Sequence, residues 1–261
     1  MQSTNTDILF FRNADFVVID IVGKDRVGFL HALISQDIQK LSHGDFAWGC
    51  LLNAKSRLLA FLGIVPSADR LHVFVLKACV DEIQRILETY MIVQDVRLER
   101  QDTLPVFMGF DIEQQLVFLT TDTPAQEAAG ALFESTRLSL GFPLWGVDFD
   151  QPIPLEVGFF HQGISMTKGC YVGQETIARL HARGMNLGKK LIHFEIHQNV
   201  SPQSIISFGD QEVGQVSSIA PYQNMFRGLA WIKREGFNAP LSIKGHEATQ
   251  LTYAFEHQGV T

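Results

Sequence analysis

From Gly188 onward the sequence breaks into short, strand-like runs, "KKLIHFEIH", "SIISFGDQEVGQVSSIA", "GLAWIK" and "LSIKG", separated by Gly, Pro and Asn turns. Runs this short cannot make a helix layer, and their spacing predicts a small β-barrel or sandwich. The change of texture places a domain boundary near residue 186, giving regions 1–185 and 186–261.

The first region alternates instead. "FVVIDIVG" reads as a strand that stops at Gly23, and "DRVGFLHALISQDIQKL" puts Val27, Leu30, His31, Ile34 and Ile38 at helical spacing behind Asp25. "DFAWGCLLN" and "RLLAFLGIV" flank "AKS" as a hairpin, "RLHVFVLK" adds a strand, and "VDEIQRILETYM" a helix. "VRLERQ", "LPVFMGF" and "QLVFLTT" are further strands, and "PAQEAAGALFEST" returns to helix with Pro124 at its start. This alternation predicts an α+β fold with antiparallel sheets and helices on one side, the region 1–185 forming two subdomains split near 45–135.

A chain that is 46% hydrophobic and 19% charged is globular, not disordered. Its net charge of -7 disfavours bulk nucleic-acid binding and adhesion to an acidic membrane. The N-terminal stretch "MQSTNTDILFFRNAD" shows no basic and then apolar leader, and "LLAFLGIV", the longest apolar run, is too short to span a bilayer. Cys50, Cys79 and Cys170 are an odd number at wide spacing, which predicts a reducing compartment, a bacterial-type cytoplasm or an organelle matrix, and no disulfide framework.

Cys50 and Cys79 lie in apolar runs, where a thiol is a small buried hydrophobe. Cys170 stands between Gly169 and Gly173, just before the helical pattern "GQETIARLHA", whose N-H groups together with Lys168 would favour a thiolate. Residue chemistry alone leaves it either reactive or packed. Arg179 and Arg183 share a helix face, followed by Lys189 and Lys190; the cluster either holds a carboxylate or phosphate or is a solvated basic face. "GMNLGKK" lacks the spacing of a phosphate loop, and His161, His193 and His197 form no metal-ligand set with nearby Cys or carboxylates.

The run "KGCYVGQE" (168–175) resembles the signature of the YgfZ-type folate-binding proteins, relatives of the glycine-cleavage T-protein. "GKDRVGFLHALISQDIQKL", "NAKSRLL", "RLSLGFPLWGVDFDQPIPLEVGF", "GDQEVGQVSSIA" and "GLAWIK" are similar to other segments of that family, so the likeness runs along nearly the whole chain.

The resemblance implies a T-protein-like fold, with a bipartite α/β part and a small C-terminal barrel around a central cavity. It also implies tetrahydrofolate as ligand and a role in assembling or repairing iron-sulfur proteins, including tRNA-modifying enzymes, while the scattered histidines predict no metal bound by the chain alone. The signature cysteine maps onto Cys170, with Lys168, Gly169, Tyr171, Gly173, Gln174 and Glu175 completing the motif, and the implied folate contacts are Arg137, Trp145, Arg179 and Arg183. Three departures stand out: Ser56 where Gly is usual, Ser139 where the family has Glu, and Ala60 with Phe61 where aminomethyl-transferring T-proteins carry two aspartates. Without those acids the transfer of an aminomethyl group lacks its proton donor and acceptor. The alternatives are a one-carbon transferase or demethylase using Asp148, Glu156 or Glu175, and a catalytically silent scaffold.

Overall fold

The computed structural model describes residues 8–253; residues 1–7, part of the stretch read for a leader, and 254–261, the end of the predicted barrel region, lie outside the described residues. The described residues form two compact units, one of residues 8–111, 116–128 and 162–178, the other of 112–115, 129–161 and 179–253. The second unit thus takes in the segment 129–161 besides the barrel strands.

In the first unit the strands are β1 (Ile8–Arg12), β2 (Phe16–Val22), β3 (Ala47–Leu52), β4 (Leu58–Pro66), β5 (Arg70–Leu76), β6 (Arg97–Gln101), β7 (Phe107–Asp111) and β8 (Leu116–Thr120). They make a five-stranded antiparallel sheet, β3-β4-β5-β2-β6, and a three-stranded one, β1-β7-β8. Helices α1 (Arg26–Leu33) and α2 (Val80–Tyr90) bury Leu30, Leu33, Ile83 and Leu87 in one core with Ile19, Ile21, Leu62 and Val73 of the larger sheet. Alternation along β4 sends Phe61 to the other face, where its ring stacks on Trp48 at 4.7 Å and the Trp48 indole N-H donates to Val117 O.

Two helices differ from their sequence patterns. The run after Asp25 was expected to continue to Leu41, but α1 ends at Leu33: Ile34 bridges to Leu51, and Ser35 bonds Cys50 and Gly163 instead of continuing the helix. Serine competes well for such bonds, so the helix yields there. The helix expected from Pro124 starts only at Phe133 as α3 (Phe133–Ser139), after a 3-10 turn over Gly130–Leu132, and upstream the Ala128 N-H is drawn to Phe10 O at the edge of β1. Helix α4 (Gln174–Ala182) falls where expected.

The second unit carries β9 (Lys189–Ile196), β10 (Ile205–Phe208), β11 (Gln211–Tyr222), β12 (Met225–Lys233), β13 (Leu241–Ile243) and β14 (His246–Leu251). They close into a barrel in the order β10-β11-β12-β9-β14-β13. Its interior is filled by Ile192, Phe194, Val213, Val216, Ile232 and Ile243, so it is a packed core and not a channel.

Candidate functional site

The signature loop belongs to the first unit, and its placement begins at the C-terminal end of α1. A helix leaves its last carbonyls without partners, and those of α1 point at the loop. Lys168, buried, donates from Nζ to His31 O at 2.5 Å, to Ile34 O at 2.6 Å and to Gln36 O at 3.3 Å. An ammonium has three donors, so this site satisfies it fully and complements the negative end of the helix. Burial pulls the Lys168 pKa down to about 8, and Asp37 opposes that shift. The charge that was expected beside the Cys170 thiol is therefore directed to the end of α1.

The segment leading into Lys168 runs beside the same stretch of chain. Ser35 Oγ donates to Gly163 O at 2.6 Å, Gln36 Nε2 to Gln162 O at 2.8 Å, and the Ser165 N-H to Ser35 O. Tyr171, buried, lies with its ring 5.2 Å from Lys168 Nζ, and burial pushes its phenol above the ordinary range.

The loop's other end is held by the β3–β4 hairpin turn. Gly173 has φ +79, and a Cβ there would stand 2.4 Å from Asn53 O and 2.9 Å from Leu52 Cβ, so glycine is required by conformation and by space. Ser56, fully buried at φ 60, donates from Oγ to Gly173 O at 2.5 Å. The departure from the family's Gly thus falls on a left-handed residue, the conformation glycine serves best. Gly169, with no atom within 4 Å of its would-be Cβ, is unconstrained in space.

Between these anchors Cys170 is exposed, while Cys50 is buried and Cys79 partly so. Burial pushes the Cys50 thiol up to about 12 and the Cys79 thiol up to about 11. Gln174 and Glu175 open α4, Glu175 exposed, and the helix continues through Arg179, with Arg183 just past its end; both arginines are exposed and belong to the second unit.

Also in the second unit, Arg137 is 1% exposed. Its guanidinium donates to Glu134 Oε1 and Oε2, to Phe142 O and to Asp148 Oδ2, the last at 3.0 Å. Asp148 in turn accepts from the Leu144 N-H and from the hydroxyls of Ser217 and Ser218. Ser139 donates its hydroxyl to Thr136 O. Trp145 is half-buried, its ring edge-on to Phe149 at 5.4 Å. Among the described residues no group of three or more His, Cys, Asp or Glu could hold a metal ion, and no helix is long and apolar enough to cross a membrane.

The architecture has a counterpart in aminomethyltransferase T of the glycine cleavage system from Bartonella henselae, with a TM-score of 0.74, covering 95% of this chain and 86% of that one at 13% identity. The fold is therefore that of the aminomethyltransferase-like class, α+β with antiparallel sheets and a closed six-stranded barrel. No protein-family model matches the chain. In sequence it is similar to the mitochondrial iron-sulfur cluster assembly factor IBA57 of Mus musculus, 29% identical over 204 residues, 70% of this chain and 53% of that protein. It is also similar to the tRNA-modifying protein YgfZ of Aliivibrio fischeri, 22% identical over 216 residues, 66% of each chain. The chain thus spans about half of the first relative's length and just under two thirds of the second's. It has an aminomethyltransferase-like fold, and its sequence is similar to those of YgfZ and IBA57 proteins.

Proposed function

We propose that the chain is an accessory protein for assembly or repair of iron-sulfur proteins, including those that modify tRNA, and that the Cys170 thiol exchanges with sulfur on a client protein. The observation that carries this reading is the exposure of Cys170 in a loop anchored at both ends, whereas the Cys50 and Cys79 thiols are raised by burial. A thiolate is the attacking form. Its attack on a client disulfide forms one S-S bond, breaks another and releases the client's other sulfur as thiolate. The names of the two relatives, an iron-sulfur cluster assembly factor and a tRNA-modifying protein, point the same way. Aminomethyl transfer is the poorer reading, because Ala60 and Phe61 are buried apolar side chains that cannot move a proton.

Tetrahydrofolate fits these residues in part. Arg179 and Arg183 are exposed, four residues apart, and suit the carboxylates of a glutamate tail, and half-buried Trp145 offers an aromatic surface. Arg137 fits poorly as a direct contact, since it is buried and Glu134, Asp148 and Phe142 O take four of its five donors; it holds the segment that carries Trp145. When bound, the folate supplies a one-carbon carrier, and the thiol exchange draws on none of it.

The test is the activity of an iron-sulfur enzyme in cells whose own copy of this gene is deleted and which carry either the wild-type chain or Cys170→Ser. Loss of that activity with the variant present at normal abundance is the expected result. Equal activity would sink the thiol reading and favour a scaffold. Calorimetric titration with tetrahydrofolate, run beside Arg179→Ala and Arg183→Ala, tests the ligand separately: binding weakened by both variants is expected, and no heat at millimolar ligand removes folate from the reading.

A further inference from the structure

Lys168 and Gly173 bracket Cys170, and each end of this short span is fixed to a different part of the first unit: the carbonyl end of α1 and the β3–β4 turn. The second anchor is costly. A non-glycine residue at φ 60 gives up about 1 kcal/mol of backbone energy, and Ser56 is fully buried, so solvation of its hydroxyl does not offset that. What the side chain contributes is one hydrogen bond, at 2.5 Å, to the carbonyl of Gly173. A glycine would relieve the strain and lose the bond. The hairpin turn is closed without it, by Asn53, whose Oδ1 accepts from the N-H groups of Lys55 and Arg57 and whose carbonyl accepts from Ser56 N-H.

We propose that Ser56 is a positioning residue for Cys170: its hydroxyl, together with the Lys168 ammonium on the end of α1, clamps the loop so that the exposed thiol is presented in one place. The role rests on the reading of Cys170 as the functional thiol. Removing the hydroxyl frees the loop without unfolding the hairpin, because the bond ties the turn to the loop and does not hold the turn itself.

The experiment uses the full chain in a Cys79→Ser background, with a nitroxide attached at Cys170, and amide hydrogen exchange on the unlabelled protein. Ser56→Gly and Ser56→Ala differ in strain and share the missing hydroxyl. Both are expected to raise exchange at residues 169–173 roughly tenfold, as for one lost hydrogen bond, and to shift the nitroxide spectrum from slow to fast motion. Their thermal stabilities diverge, Ser56→Gly staying at or above wild type and Ser56→Ala falling below it. Lys168→Met, releasing the other end, is expected to produce the same spectral change; because it strips three carbonyls of their donor and can unfold α1, the serine pair carries the decision. Exchange and spectra unchanged in both serine variants would overturn the proposal. So would mobility that follows stability, with Ser56→Ala mobile and Ser56→Gly rigid. If Cys170→Ser keeps client activity while both serine variants loosen the loop, the clamp stands and the thiol reading alone fails.

Discussion

Lys168 and Arg137 are both cations in segments that the sequence marks as functional, and both are buried, but their acceptors differ. Lys168 meets only backbone carbonyls, at the end of a helix; Arg137 meets two carboxylates and one carbonyl. A lysine on carbonyls ties one stretch of chain to another with no carboxylate in contact, so burial lowers its pKa and Asp37 only partly opposes that. An arginine between Glu134 and Asp148 is compensated, and Asp148 passes the connection on to Ser217 and Ser218 of β11. The first arrangement holds a loop whose thiol faces solvent. The second knits a wall of the barrel unit and leaves few donors for a ligand.

The largest effect that would sharpen this contrast is expected at the carboxylate pair. Arg137→Met leaves Asp148, with its side chain wholly buried, without its cation, and breaking a buried pair in this way costs about 3–5 kcal/mol. Denaturant unfolding of Arg137→Met should show that loss. The double variant with Asp148→Leu should recover part of it, because the orphaned charge is gone. If Arg137→Met proves neutral in stability and instead abolishes folate binding, the contrast between the two cations collapses.

His193 supplies a third case, a buried imidazole on a backbone carbonyl. Its Nε2 lies 2.7 Å from Leu138 O, and burial holds its pKa down to about 4, with Arg227 adding to the shift. The folded state keeps it neutral while the unfolded chain takes a proton near pH 6.5, so stability is full above pH 6.5 and is lost as pH falls from there toward 4. The loss amounts to roughly 3 kcal/mol when complete. Urea midpoints measured between pH 4 and 7 should flatten in His193→Gln; a slope unchanged by that substitution would assign the acid sensitivity to other groups.

A smaller pair of effects separates the two glycines around the thiol. Gly173→Ala meets a left-handed backbone and the Asn53 carbonyl, and the strain alone costs about 1–3 kcal/mol. Gly169→Ala meets open space and should stay within about 0.5 kcal/mol of wild type. Calorimetric melting of the two variants decides it, and equal destabilisation would mean that the loop is not anchored at its Gly173 end.

How far these features were legible depends on the range of the contacts that make them. Local periodicity found β2 through β8, α2, α4 and the texture of the barrel, because alternation and helical spacing are written within a few residues. It missed the end of α1, where Ser35 takes its partners from Cys50 and Gly163, and it missed β1 and β14, which need distant strands to be seen. At the site, the motif singled out Cys170 and Gly173 by residue type. The destination of Lys168 was hidden, since its acceptors lie more than a hundred positions away. Ser56 was visible only as a departure from a pattern, and its left-handed backbone with the bond to Gly173 gives that departure a physical meaning.

The smallest expected effect tests presentation against packing. Cys170 is exposed, so Cys170→Ser removes little apolar contact and creates no buried polar group. Its melting temperature should match wild type within the shift produced by about 0.5 kcal/mol. The same substitution at Cys50, wholly buried and opposite Phe61 in the β3–β4 ladder, puts a more polar hydroxyl into a site where Ser35 is the side-chain hydrogen-bond partner, and should cost about 1–3 kcal/mol. A Cys170→Ser variant as unstable as Cys50→Ser would mean that the loop packs its thiol inward in solution, and the exchange chemistry assigned to it would lose its structural basis.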